Sequence, residues 1–335
     1  MRLGIIGLPQ AGKTTIFNAL TRGKLPTVIG GGRLEISTGV VNVPDQRVES
    51  LVELFKPEKI THARVVYADI SGLENGNNKQ GLAGALLNQL SQMDALLHVV
   101  RCFDDSSVAH SLGNIDPQRD ILTLDSELML NDLLTVTRRI ERLEQDLRHN
   151  SNGEKARLEA ELGLFQRLQQ ALESDVPLRD LEYLNNELKL LSGFGLLSLK
   201  PVLLVFNLAE GQVQPEVDYP HQHSQVVGLQ GKLEMELVQL SEEEAEEFKT
   251  AYGISELGLE SVIRHSYDLL GYQSFFTVGE DEVRAWNVHR GATALEASGV
   301  IHTDLQRGFI RAEVIEYEDL LELGGLSQAR SQGKL

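Results

Sequence analysis

The stretch Gly7-Leu8-Pro9-Gln10-Ala11-Gly12-Lys13-Thr14 decides how this chain is read. It fits the pattern G-x-x-x-x-G-K-[ST]. Gly7 and Gly12 let the backbone wrap tightly, so that amides point at phosphate oxygens, and the helix that follows offers its positive N-terminus. Lys13 supplies a point charge for the β- and γ-phosphates, and the Thr14 hydroxyl is a ligand for Mg²⁺. The surroundings match the motif. Leu3, Ile5 and Ile6 form a short apolar run before it, and Ile16, Phe17, Ala19 and Leu20 follow at helical spacing.

Working outward, a phosphate loop of this kind needs a second metal-facing carboxylate. Asp69 ends the apolar run Arg64–Ala68 and opens Asp69-Ile70-Ser71-Gly72. Asp69 is expected to hold Mg²⁺ with Thr14, and the Gly72 amide to sense the γ-phosphate. Leu73 stands where Ras-like enzymes carry a glutamine that orients the attacking water. Leucine cannot orient water, so either another group does so or hydrolysis is slow.

Further strands are predicted at Ala63–Ala68, Ala95–Val100, Val202–Phe206 and Gln225–Leu229. Apolar strands separated by helices imply an α/β fold with a mostly parallel sheet covered on both faces. Residues 22–39, rich in glycine, read as an irregular mobile loop. Residues 116–195 break the rhythm. Leu133, Val136, Ile140, Leu143 and Leu147 make one helical stripe, His149–Gly153 is a turn signal, and Leu158, Leu162, Phe165, Leu168 and Leu172 make a second stripe. This predicts an antiparallel helical hairpin inserted into the sheet domain. Ser241 and Glu244 form a capping box that starts another helix. Short strands are expected at Phe275–Thr277, Val283–Val288 and Ile310–Ile315, with a helix near Tyr317–Leu323. The expected division is 1–115, 116–195, 196–272 and 273–335.

The fourth strand runs into Asn207-Leu208-Ala209-Glu210. Translational GTPases carry N-K-x-D here, and the aspartate accepts two hydrogen bonds from guanine. The longer Glu210 cannot keep that geometry, so guanine preference is not expected and adenine becomes plausible.

Composition sets the outer bounds. At 335 residues the chain is long enough for about two domains. Its 41% apolar and 24% charged residues describe a globular protein rather than a disordered or fibrous one. Its one cysteine, Cys102, forms no intrachain disulfide, which fits a reducing, cytoplasmic compartment. No apolar run reaches membrane-spanning length. The net charge of −18 repels phosphate backbones on average, so any RNA contact needs a local basic patch.

Together these residues resemble the YchF, or Obg-like ATPase, family of P-loop proteins. The resemblance runs through 7–20, 38–48, Asp69–Leu73, 98–103, Asn207–Glu210, 231–237 and, most specifically, 282–320. It implies a G domain interrupted by a helical hairpin, followed by a β-grasp, TGS-like tail. It also implies ATP preferred over GTP, Mg²⁺, ribosome association, and His110 as a candidate for positioning the water. Apart from the resemblance, a monomer is expected. Leu73 then fits, because a hydrophobic residue at that place is the family norm. The candidate nucleotide contacts are Gly7, Gln10, Ala11, Gly12, Lys13, Thr14, Thr15, Asn207, Leu208, Glu210, Gln230, Gly231 and Lys232. Thr14 and Asp69 are the metal pair, and His110, Leu73 and Gly72 the catalytic set.

The chain departs from the family pattern at four places. Arg33 stands where the switch I threonine is expected, with Thr27 and Thr38 flanking it and Gly30–Gly32 before it. Gln10 replaces an asparagine tied to K⁺ assistance. Gln230-Gly231-Lys232 replaces S-A-[KR]. The family pattern continues past Leu335 with the closing strands of the β-grasp, so the tail is expected to be truncated. Residues 273–335 hold six Lys and Arg against ten Asp and Glu, which gives RNA binding no electrostatic support. Two readings stay open: a slow ATPase acting as a molecular switch, and a non-hydrolysing nucleotide-dependent adaptor. A small-molecule kinase is a distant third, for lack of an arginine-bearing lid.

Overall fold

The computed structural model describes residues 1–23, 35–71, 84–149, 154–252, 254 and 257–334. In chain order its elements are β1 (Arg2–Ile6), α1 (Lys13–Thr21), β2 (Glu35–Asn42), α2 (Gln46–Phe55), β3 (Lys59–Thr61), β4 (Arg64–Ser71), α3 (Gly84–Ser91), β5 (Ala95–Arg101), α4 (Pro117–His149), α5 (Lys155–Glu173) and α6 (Asn185–Leu191). Then follow β6 (Val202–Asn207), β7 (Ser224–Leu229), α7 (Gly231–Leu237), α8 (Glu242–Tyr252), α9 (Gly258–Leu269), β8 (Tyr272–Thr277), β9 (Glu282–His289), α10 (Ala294–Ile301), α11 (Thr303–Arg307), α12 (Tyr317–Leu323) and α13 (Leu326–Ser331).

Six strands make one sheet in the order β2-β4-β1-β5-β6-β7. The pairs β1–β4, β1–β5, β5–β6 and β6–β7 are parallel. β5 and β6 are buried at every position, which is why their sequences run mostly apolar without alternation. The order reverses beside β1, with β4 on one side and β5 on the other. Such a switch point leaves a crevice at the carboxyl ends of the strands.

The hairpin forms as its stripes predict. Ile121, Leu124 and Leu128 of α4 pack on the sheet with Val100, Leu197, Leu204 and Phe206. Further along the same helix, Val136, Ile140 and Leu143 pack with Leu158, Phe165, Leu168 and Leu172 of α5. One helix therefore serves two cores. The turn expected at His149–Gly153 falls on residues 150–153, outside the described residues. The capping box forms, with the Ser241 amide donating to Glu244 Oε2 (3.0 Å) and the Glu244 amide to Ser241 Oγ (3.3 Å).

The chain packs as two compact units, Met1–Gly39 with Val66–Val262, and Val40–Val65 with Ile263–Leu335. These do not follow the four expected segments: the hairpin belongs to the sheet unit, and residues 40–65 belong with the C-terminal residues. The second unit holds a three-stranded sheet, β3-β9-β8, in which β3 runs parallel to β9 and β8 antiparallel to it. Asp45 caps α2 by accepting from the Arg47 amide, and it also holds the Arg47 guanidinium (2.8 and 2.9 Å), which lies over the Phe276 ring.

Two expectations need correction. Residues 35–39, read as loop, begin strand β2. The β-branched residues Ile36, Thr38, Val40 and Val41 were outweighed there by the neighbouring glycines. Conversely, 310–315 is not a strand, although it alternates at period two. Ile310 and Val314 are 91% and 71% exposed, and among the described residues no strand pairs with the segment. The rest of the expected 22–39 loop, residues 24–34, lies outside the described residues.

Candidate functional site

At the carboxyl ends of the parallel strands lies a cavity of about 700 Å³, lined by groups that follow each strand in turn. After β1 come Gln10, Gly12, Lys13, Thr14 and Thr15. After β5 come Phe103, Asp104, Asp105 and Val108. Leu208, Ala209 and Glu210 follow β6, and Gln230, Lys232, Leu233, Met235 and Glu236 follow β7.

The loop after β1 shows why its glycines are required. A Cβ on Gly7 would sit 2.4 Å from the Val99 carbonyl oxygen of β5, and one on Gly12 2.2 Å from Asn207 Nδ2. Gly12 also has φ 93°, in the left-handed region. Lys13 Nζ donates to the carbonyls of Gly7 (3.2 Å) and Leu8 (3.0 Å), so its ammonium is arched over the loop. Thr14 Oγ1 donates to Asp69 Oδ2 at 2.8 Å. One hydroxyl and one carboxylate brought together here are the hard oxygen donors that suit Mg²⁺, a cation usually held by one or two protein groups plus phosphates.

The base-side residues divide by role. Asn207 is buried and acts as a brace: its Nδ2 donates to Ala11 O (3.0 Å) and its Oδ1 accepts from the Gly231 amide (3.2 Å). It ties the phosphate loop to the start of α7. Gln212 staples the neighbouring turn, accepting from the Ala209 amide and donating to Cys102 O, both at 2.8 Å. Gly231 is packed against Asn207 Oδ1, with 2.7 Å to an added Cβ. Leu208, Glu210, Gln230 and Lys232 face the cavity.

Two family models match this chain: MMR_HSR1, described as "50S ribosome-binding GTPase", over residues 2–138, and YchF-GTPase_C, described as "Protein of unknown function (DUF933)", over 272–335. The "Ribosome-binding ATPase YchF" of Bacillus subtilis (strain 168) is 37% identical over 344 residues, covering 99% of this chain and 93% of that protein. The protein of the same name from Haemophilus ducreyi is 39% identical over 342 residues, with the same two coverages. The chain belongs to the YchF family. The solved "Structure of the Schizosaccharomyces pombe YchF GTPase" agrees, with TM-score 0.85 and 30% identity over 100% of this chain and 92% of that one. As a YchF-family protein with a P-loop, the chain is a nucleotide-hydrolysing enzyme.

Within this YchF-family site, His110 is not at the cavity. Its ring is 5% exposed, and Nε2 lies 2.8 Å from Asp120 Oδ2 in the first turn of α4. Nδ1 accepts from the Leu112 amide (3.1 Å), so the proton resides on Nε2 and is donated to Asp120. Arg119 forks onto the other Asp120 oxygen (2.7 and 3.0 Å) and reaches Asn114. Gly72, Leu73, Arg33, Thr27 and Gly30–Gly32 lie outside the described residues. Thr38 lies in β2 and is exposed.

Reading the residues one at a time missed the wall formed by Phe103, Asp104, Asp105 and Val108, and the Leu233, Met235 and Glu236 face of α7. The signal for Phe103 was present: it is the aromatic residue just past the carboxyl end of a fully buried, mostly apolar strand, where ligands of such sheets bind.

Proposed function

We propose that the chain binds ATP in preference to GTP, with Mg²⁺ held by Thr14 and Asp69, and hydrolyses it slowly as a cytoplasmic, monomeric switch on the ribosome. The observation that carries the base preference is the cavity wall itself. Leu208 and Glu210 occupy it in place of a lysine and a short aspartate, and the apolar Leu233 and Met235 line the same cavity. A glutamate cannot pair with guanine as the shorter acid does.

The loop amides and Lys13 orient the triphosphate, with Gln10, Ala11, Gly12 and Thr15 completing the phosphate side, and Gln230, Gly231 and Lys232 the base side. When bound, Mg²⁺ supplies charge neutralisation to the phosphate oxygens. The Gly72 amide senses the γ-phosphate, and Leu73 excludes water without orienting it. His110 orients the water, which requires its Nε2 to leave Asp120. Gln10 is the place where K⁺ assistance is to be tested. The second unit takes the role of a TGS-like β-grasp domain.

Calorimetric titration with ADP, GDP and their non-hydrolysable triphosphate analogues tests the base preference. Tighter binding of both adenine ligands is expected, and the opposite order overturns the reading. Single-turnover hydrolysis tests the chemistry, and a wild-type rate equal to that of Lys13→Ala sinks it. The adaptor alternative is less favoured, because the relatives are named ATPases. Ribosome pelleting across a salt series tests the partner, since phosphate contacts must weaken as salt rises.

A further inference from the structure

One buried side chain next to the cavity has no part in the site described above. Arg101 is the last residue of β5 and the register neighbour of Asn207. It is 3% exposed, yet among the described residues it forms no ion pair with a carboxylate. A buried guanidinium is costly unless its donors are satisfied. Here they are spent on the main chain of a single loop. Nε donates to Phe103 O (3.2 Å), Nη2 to Val108 O (2.8 Å) and Nη1 to Ala109 O (3.4 Å). The guanidinium carbon also lies 4.6 Å from the centroid of the Phe103 ring.

The loop held this way is part of the cavity wall, because Phe103 and Val108 both line the cavity. Phe103 Cε1 reaches to 3.9 Å from where a Cβ on Gly12 would be, so the ring stands against the phosphate loop itself. The two residues ending the central strands thus divide the work: Asn207 braces the phosphate loop, and Arg101 braces the wall facing it.

We infer that Arg101 is a positioning residue for nucleotide: it holds the Phe103–Ala109 loop in the shape that accepts the ligand and acts through Phe103 without touching the ligand. This rests on the nucleotide-binding reading of the cavity. Lysine cannot replace it, because a single ammonium lacks the planar fork that reaches three carbonyls while stacking on a ring.

The test is a double-mutant cycle on nucleotide affinity, using Arg101→Gln, Phe103→Leu and the pair, with ADP as the probe and thermal melting as the fold control. Arg101→Gln is expected to weaken ADP binding about tenfold in the intact chain but by about twofold or less once Phe103 is leucine. If Arg101→Gln does not fold, Arg101→Lys, which keeps the charge and loses the fork, is measured in the same way and is expected to fail similarly. Equal effects in both Phe103 backgrounds, or unchanged affinity with a lowered melting temperature, overturn the inference. A wild-type chain that binds no nucleotide refutes the underlying reading before any variant is compared.

Discussion

Gln10 sits at φ 63°, a left-handed conformation that costs an ordinary L-residue about 1–2 kcal/mol and that asparagine tolerates better. Gln10→Asn is therefore expected to raise stability by about 0.5 kcal/mol, read as a melting temperature about 1–2 °C higher by calorimetry. Gly12→Ala should act in the opposite way and more strongly. Its methyl meets Asn207 Nδ2 and displaces the donor bound to Ala11 O, so nucleotide binding should fall below detection by titration. At this scale the phosphate loop was fully legible, because the glycine spacing is itself the geometric requirement. The position of His110 was not, because it depends on Asp120, whose nearness in space is created by the start of a helix.

At the scale of elements, continuous apolar runs announced β5 and β6, and two leucine-rich stripes announced α4 and α5. Phe165, fully buried between the stripes and edge-on to Phe194, anchors the hairpin. Phe165→Ala should cost about 3–5 kcal/mol in denaturant unfolding. It should leave ADP affinity unchanged, since the residue belongs to the core shared with α5 and not to the one under the cavity. Weaker ADP binding in a folded variant would show the two cores to be coupled. Strand β3 was illegible because three residues carry no periodicity, and its partner β9 lies far along the chain. The false strand at 310–315 shows the converse, that alternation gives a segment a face but no neighbour.

For the molecule as a whole, 49 acidic against 31 basic residues give the charge of −18, and some of the ionisable groups lie in the interior. His98 lies fully buried in β5, and burial lowers its pKa to about 4 from 6.5, leaving it neutral. The unfolded chain takes up that proton first. His98 thus contributes stability above about pH 6.5, and this is lost as the pH falls towards 4. Asp132 opposes it. Burial raises its pKa to about 6 despite bonds from Leu197, Ser198 and the Ser198 hydroxyl, so folding is favoured as the pH falls from 6 towards 3.8. The two effects act in opposite directions over the same pH range. Removing the histidine by His98→Leu should expose the Asp132 arm, so that the melting temperature of the variant rises relative to wild type between pH 6.5 and 4, by up to about 3 kcal/mol of stability. Parallel melting curves for the two proteins across that range would refute the assignment.

Helix α4 runs unbroken for 33 residues from Pro117 to His149, about 50 Å. Its first turn grips the ring of His110, and its far half lies beyond the sheet, against α5. A straight rod fixed at one end is a lever arm: a tilt of about 5° at the base sweeps the tip through about 4 Å. A shift at its base too small to matter locally would be read out, magnified, at the end of the hairpin.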